Sequence, residues 1–328
     1  MIKWGIIGLG KIAKEFAEGF EYVHNSNLVG IASKSPDKIS YFKNKFNIQD
    51  KNCFNNYEDL ISCKEIDIIY IALPHNFHFE IIMKCLTNNK NVLAEKPATT
   101  SFDQIKLISD NLKSQKVFFA EGFMYRYHPQ TTKICSLIDN DEIGEPVSME
   151  SYFGMNILKK KIDFNSRLFN KDLAGGCIFD LGCYPASLSL LIADKKFNSE
   201  YLIGLKDQKV ERLSNQVDID SYATINFSDK FFSSVGCSFN KDLGKSTRIT
   251  GTKGSILIHD SWHCNPSAIL LNDKKLLKFK NKFSNIFSYE IESVSNSLMN
   301  GDKKPNYPGM TINETKNNQQ ILEYWLSN

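Results

Sequence analysis

The sequence predicts an α/β fold in two parts. A parallel sheet with helices on both faces comes first, and an α/β domain with a large, mostly antiparallel open sheet follows. Three observations carry this reading. Short apolar runs alternate with amphipathic segments over residues 1–121. The first run ends in Gly8-Leu9-Gly10. From about residue 200 the pattern changes to strand-like runs divided by polar or glycine-containing turns.

Residues 2–7 read as a buried strand running into a tight turn. Residues 11–20 follow as a helix, with Ile12, Ala13, Phe16 and Phe20 at helical spacing. Residues 28–33 are a second strand, and Pro36 suits the first turn of a helix over 36–46. A short helix over 57–61 precedes a third strand at 66–72, which stops before Pro74. A helix over 77–88, a strand over 91–94, a helix over 102–113 and a strand over 117–120 complete the alternation. Strands this continuously apolar belong to a sheet covered on both sides.

Beyond residue 121 a helix is predicted over 129–139, a strand over 147–157 and helical character over 182–193. Strand-like runs at 222–227, 231–239, 246–250 and 255–259 are separated by turns such as Ser228-Asp229-Lys230 and Thr252-Lys253-Gly254, an antiparallel pattern. Helices near 284–300 and 311–326 end the chain, the second with Thr311 and Glu314 spaced as a capping box. The expected domains are 1–121 and 122–328, with the C-terminal helix able to pack back on the first.

A length of 328 residues suits two domains. The composition, 42% hydrophobic and 23% charged, excludes a disordered, collagen-like or coiled-coil chain. Forty basic residues against 37 acidic ones lack the basic surplus of a nucleic-acid binder. No apolar stretch of about 18 residues stands out, so no membrane span is expected. The N-terminus lacks the layout of a signal peptide. Eight scattered cysteines with no C-x-x-C pair read as reduced thiols in a cytoplasmic protein.

Gly8-x-Gly10-x-x-Ala13 lies between the first strand and the first helix. There the pattern marks a dinucleotide site. Gly8 permits the tight turn, Gly10 lets the backbone approach a pyrophosphate, and Ala13 allows close helix–strand packing. The free N–H groups and the dipole of the helix N-terminus stabilise phosphate charge. Expected contacts are Gly8, Leu9, Gly10, Lys11 and Ile12. After the second strand, where an acid often holds the ribose 2′-hydroxyl, stand Ser33, Lys34 and Ser35, with Lys38 one turn on. A hydroxyl and lysines attract a 2′-phosphate, so NADP is preferred over NAD.

Several motifs now converge. Gly8–Ala13, the run Ala72-Leu73-Pro74-His75-Asn76-Phe77-His78, and Glu95-Lys96-Pro97 occur in this order. Glu121-Gly122-Phe123-Met124-Tyr125-Arg126-Tyr127-His128-Pro129 and Gly175-Gly176-Cys177-Ile178-Phe179-Asp180-Leu181-Gly182-Cys183-Tyr184 follow. Over its whole length the chain resembles the glucose–fructose oxidoreductase/inositol dehydrogenase (Gfo/Idh/MocA) family. The resemblance implies a Rossmann domain followed by an open-sheet α/β domain. Tyr184, where inositol-dehydrogenase-like members carry histidine, sides with the glucose–fructose oxidoreductase and dihydrodiol dehydrogenase branches. It also implies that Leu73, Pro74, Asn76 and His78 line the cofactor, with Glu95, Lys96 and Arg126 among its contacts. His75 stands where the family more often has asparagine.

The resemblance implies a catalytic Lys96, with a cis bond before Pro97. Exchange of a hydride with nicotinamide leaves a proton for the protein to handle. A free tyrosine titrates near ~10, too high for an efficient base at neutral pH. A neighbouring ammonium favours the phenolate. Tyr184 is therefore expected as general acid/base, Lys96 as its electrostatic partner and a donor to substrate, and Asp180 as an orienting acceptor. Arg126 is read either as a nicotinamide neighbour or as a structural ion-pair residue. Tyr127, His128 and Arg167 are candidate substrate contacts. His259, His263 and Cys264 have metal-like spacing but lie in a strand-and-turn region, so no metal site is expected.

The leading reading is an NAD(P)-dependent oxidoreductase acting on a hydroxyl or carbonyl of a sugar-like or cyclic diol substrate. The alternatives are an NAD-dependent glycosidase of the same fold and a non-catalytic dinucleotide-binding regulator. A homodimer or homotetramer through the antiparallel sheet is expected, with no nucleic-acid or membrane partner.

Overall fold

A computed structural model describes residues 1–159, 162–197 and 201–327. The chain divides into two compact units. One is Met1–Tyr127 with Phe283–Asn313, the other His128–Lys282 with Glu314–Asn328.

The first unit opens with β1 (Ile2–Ile7), α1 (Lys11–Glu18), β2 (Ser26–Ala32), α2 (Pro36–Phe46), β3 (Cys53–Phe54) and α3 (Tyr57–Ser62). It continues with β4 (Ile68–Ile71), α4 (His78–Thr87), β5 (Asn91–Glu95), α5 (Phe102–Ser114) and β6 (Phe119–Gly122). Six parallel strands lie in the order β3-β2-β1-β4-β5-β6. Strand order reverses beside β1, and ligands in such sheets bind beyond the carboxyl ends of the strands at that switch point. One core layer packs Ile7, Ile69, Ile71, Val92 and Ala94 with Ile82 and Leu86 of α4 and Ile105 and Ile108 of α5. On the other face Phe16 of α1 stacks on Tyr70 of β4, with ring centroids 3.7 Å apart. Local chemistry sets the helix ends. Ser35 caps α2 by accepting from the Lys38 N–H, Pro36 fills the first turn, and Asn47 closes it in a left-handed conformation.

The second unit opens with α6 (Pro129–Asp139), β7 (Pro146–Gly154), α7 (Cys183–Phe197), β8 (Ile203–Arg212), β9 (Asp218–Phe227) and β10 (Phe231–Ser238). Then come β11 (Thr247–Gly251), β12 (Ser255–Ile258), β13 (Ala268–Leu271) and β14 (Lys275–Lys278). The eight strands run in the order β14-β13-β12-β11-β7-β10-β9-β8. Every pair is antiparallel except β10 with β7. Alternation sends Ala223, Ile225 and Phe227 of β9 inward, while Tyr222, Thr224 and Asn226 face the other way.

On sequence no long apolar stretch stood out. The helical run Lys171–Phe197 is nonetheless long and apolar enough to meet the length and composition of a membrane span. Ninety-four per cent of its apolar window is buried, so it is a core helix of the second unit.

The chain then returns to the first unit with α8 (Phe287–Met299), and α9 (Ile312–Leu326) lies almost wholly in the second. The sequence pattern places a single boundary near 121, with the last helix as the piece to pack back. The structure instead builds residues 283–313 into the first unit. The reason is physical. Phe287, Ile291 and Val294 are buried, and Phe287 meets Phe16 edge-on at 5.8 Å. Trp4 Nε1 donates to Ser295 Oγ at 3.0 Å, and Ser288 Oγ donates to the Gly19 carbonyl at 2.8 Å.

Candidate active site

The turn after β1 is shaped by two glycines with different tasks. Gly8 has φ +89°, and a Cβ there would stand 2.5 Å from the Ala72 carbonyl oxygen. Only glycine lets β1 leave the sheet so close to β4. Gly10 caps α1 with no side-chain hydrogen bond, and a Cβ there would meet nothing within 4 Å. The start of α1 thus has no side-chain cap and open space beside Gly10, room in which an anion can approach the helix N-terminus. Asn76, in the turn after β4, has a buried Oδ1 with no hydrogen-bond partner among the described residues. An uncapped helix start, open space at Gly10 and an orphaned amide oxygen fit a dinucleotide.

After β2, Ser33 is buried and its Oγ accepts from the Ser35 N–H at 3.2 Å, which shapes the turn. Lys34 and Lys38 are exposed. Lys34 Nζ lies 5.7 Å from the centre of the Tyr57 ring, a cation–π contact that holds the ammonium over this edge. Tyr57 had no local signature, because it comes from another element.

Lys96 follows β5 and is half-buried, and its peptide bond to Pro97 is cis. Buried side chains hold the backbone on both sides of it. Glu95 Oε2 accepts from the Lys96 N–H at 3.3 Å. Glu121 Oε1 accepts from the Ala98 N–H at 2.9 Å. His78 Nδ1 lies 2.9 Å from the Pro97 carbonyl oxygen and its Nε2 2.8 Å from the Leu73 carbonyl oxygen. His78 is fully buried and ties the β4 turn to the Lys96 turn. Glu95 also accepts from the Tyr70 hydroxyl. Both residues are expected cofactor contacts, and in the structure their polar atoms bond to protein groups.

In the second unit Asp180 lies in a π-helical turn, Ile178–Gly182, and Tyr184 opens the regular helix α7. Such turns are rare and mark functional sites. Asp218 holds the turn by accepting from the Ile178 N–H at 2.7 Å. Gly176, φ +128°, passes so near that a Cβ would be 2.0 Å from Asp218 Oδ1. Burial pushes the Asp218 carboxyl up against the opposing pull of that N–H. Arg167 Nη1 donates to Asp180 Oδ1 at 3.0 Å, with the guanidinium half exposed. Tyr184 is buried against Phe153 at 5.5 Å and Trp262 at 5.6 Å. Asp218, Phe153 and Trp262 carried no sequence signal, because each acts through a fold contact.

Other expected contacts have internal partners. Arg126 is fully buried, with Nε donating to the Tyr125 hydroxyl at 3.1 Å and Nη1 to the Pro308 carbonyl at 3.2 Å. Tyr127 lies beside Gly309, where an added Cβ would be 2.9 Å from its ring. His128 caps α6: its Nδ1 accepts from the Gln130 N–H at 3.1 Å and its Nε2 meets Asn281 Oδ1 at 3.2 Å. Burial lowers its pKa to about 4, against the pull of Asn281, so it is neutral at pH 7 and braces the helix. His259 is exposed and Cys264 buried, and among the described residues no group of three or more His, Cys, Asp or Glu could hold a metal. All eight cysteines are free thiols.

These features define a dinucleotide-binding unit joined to a second unit that presents an acid and a tyrosine on consecutive turns. Comparison with known proteins agrees. The family described as an oxidoreductase family with an NAD-binding Rossmann fold matches residues 2–123, and the GFO/IDH/MocA C-terminal domain matches residues 131–257. The trans-1,2-dihydrobenzene-1,2-diol dehydrogenase of Xenopus tropicalis is 28% identical over 334 residues, 98% of this chain and 96% of that protein. The D-xylose 1-dehydrogenase (NADP(+)) of Hypocrea jecorina is 32% identical over 200 residues, 56% of this chain and 51% of that protein. The aldose-aldose oxidoreductase from Caulobacter crescentus complexed with glycerol shares the fold, with a TM-score of 0.85 at 18% identity over 99% of this chain and 96% of that one. The chain belongs to the Gfo/Idh/MocA family and is an NAD(P)-dependent oxidoreductase.

The cradle makes one firm prediction. Gly8→Ala places a methyl group against the Ala72 carbonyl at a positive φ. It should weaken NADPH binding at least about tenfold, the effect of roughly 1.4 kcal/mol of misplaced backbone. Fluorescence titration of NADPH checks this; unchanged affinity would remove Gly8 from the site.

Proposed function

We propose that this chain interconverts a hydroxyl and a carbonyl on a sugar-like or cyclic diol substrate, using NADP(H) in preference to NAD(H). The single observation that carries the reading is the Asp180–Tyr184 pair on the π-to-α turn, with Arg167 on Asp180. The relatives that act on a dihydrodiol and on xylose support the substrate class.

Bound nicotinamide supplies the hydride acceptor or donor. The turn Gly8–Ile12 binds the pyrophosphate, and Leu73, Pro74 and Asn76 line the cofactor. The Tyr184 hydroxyl carries the proton to or from the reacting oxygen. The Lys96 ammonium donates a hydrogen bond to substrate, on a backbone held by Glu95, His78 and Glu121. Asp180, with Arg167 on one oxygen, accepts from a substrate hydroxyl and orients it. Tyr127, Arg167 and His128 line or brace the substrate side.

A spectrophotometric screen of NADP(H) and NAD(H) over sugars, inositols, nucleotide sugars and diols tests the reading. Tyr184→Phe should lower kcat on the best substrate about 10²-fold or more and leave NADPH affinity unchanged. Near-normal turnover would overturn the role of Tyr184. Sugar release with retained cofactor and no net reduction would point to the glycosidase reading. NADPH binding without turnover across the panel would favour the regulator.

The cofactor preference rests on Ser33, Lys34 and Lys38 in place of an acid. One or two charge-assisted bonds to a 2′-phosphate should make NADPH at least about tenfold tighter than NADH. Lys34→Ala should close most of that gap. Equal affinities in the unaltered protein would sink the preference.

We further propose a homodimer or homotetramer through the open face of the second unit's sheet. Tyr152 and Tyr222 flank Gly236 on that face, and Phe232 and Leu276 on it are 45% and 49% exposed. Exposed apolar sheet surface favours a partner. Light scattering should give a mass at least twice that of the chain; a monomer at all concentrations would refute it.

A further inference from the structure

The turn between β12 and β13 has no place in the chemistry above, yet it packs against Tyr184. Its Asp260, Ser261, Trp262 and Cys264 are buried, while His259 and His263 are exposed. Asp260 Oδ1 accepts from the Trp262 N–H at 3.1 Å and from the His263 N–H at 2.8 Å. The short side chain of an aspartate reaches N–H groups just ahead of it in this way. Other elements tie down the rest of the turn. Gln130 Nε2 of α6 donates to the Asp260 carbonyl at 2.9 Å. The Ser261 N–H donates to the Lys245 carbonyl at 2.9 Å, and Ser261 Oγ to Thr247 Oγ1 of β11 at 2.8 Å.

This turn places one ring. Trp262 is fully buried, and its indole N–H donates to the Tyr152 carbonyl of β7 at 3.4 Å. The indole lies 5.6 Å from the Tyr184 ring and 5.9 Å from the Phe153 ring. Phe153 in turn meets Tyr184 edge-on at 5.5 Å. In a close-packed interior a shift of one such ring is passed to its neighbours. A buried N–H without an acceptor is costly, so loss of the Asp260 carboxylate would rearrange the turn that carries the indole. The charges around Asp260 are a lesser matter. Lys245 Nζ is 3.6 Å from Oδ2 and His263 Nδ1 3.8 Å from Oδ1. Both of these side chains reach water, which screens them.

We propose that Asp260 is a positioning residue for the reaction: by accepting from the Trp262 and His263 N–H groups it sets the indole, and the indole with Phe153 sets the ring of Tyr184. The proposal rests on the acid/base reading of Tyr184, so its test also reads that ring without turnover.

The test labels the full chain with 3-fluorotyrosine and assigns the Tyr184 19F resonance by its loss in Tyr184→Phe. Asp260→Ala should displace that resonance and lower kcat at least about tenfold at unchanged NADPH affinity, as expected for a misplaced reacting group. Asp260→Asn keeps an oxygen acceptor for both N–H groups and should restore both readings to near wild-type values. Lys245→Ala removes the nearby charge and should leave both unchanged.

A Tyr184 resonance unmoved in a folded but less stable Asp260→Ala makes Asp260 a purely structural brace and overturns the positioning role. An Asp260→Asn variant as impaired as Asp260→Ala, or an equal displacement in Lys245→Ala, assigns the effect to charge and refutes the hydrogen bonds as its cause. Should Asp260→Ala not fold, Asp260→Glu serves instead. Its acceptor lies one methylene out of place, and an unmoved Tyr184 resonance in it refutes the placement. Failure of every substrate would undo the functional reading and leave the resonance results to decide this one.

Discussion

The peptide groups around Lys96 are the constraint on which the first unit turns. Three buried side chains from three elements bind them: Glu95 of β5, His78 of α4 and Glu121 of β6. Each is a polar group that would be costly in the core without a partner. Each finds its partner in the backbone of one short turn. The arrangement places the lysine before any substrate arrives, so little ordering remains to be done on binding. It also explains why the fold returns to this unit late in the chain. Within residues 283–313, Phe287 packs edge-on against Phe16, and Phe16 stacks on the Tyr70 ring whose hydroxyl donates to Glu95.

The second unit meets a related requirement with a glycine. Gly176 passes Asp218 at a distance no side chain could tolerate, and Asp218 then receives the Ile178 N–H. The π-helical turn is pinned at its start by this acid. At its end Gly182 lies under Trp325, where an added Cβ would be 3.1 Å from the indole. Asp180 stands between the two pins. In both units a candidate site side chain follows backbone held by a buried carboxyl group.

Much of this was legible in the sequence, and the boundary of legibility has a physical cause. The parallel strands are runs of Ile, Val and Ala between glycine or proline stops, so one-dimensional pattern sufficed for β1, β2, β4 and β5. Gly8 and Gly10 were visible because close backbone approach after a strand needs glycine, whereas Lys96, Asp180 and Tyr184 were singled out by the family resemblance of the motifs around them. The edge strand β8 was not named, because it alternates half-exposed residues with charges such as Lys206, Asp207 and Lys209. Charged edges resist further pairing and hide the apolar period. Strands β3, β13 and β14 are too short to show any period. Asp218 and Tyr57 escaped for a different reason: each meets a group far away in sequence, and only the fold supplies the neighbour.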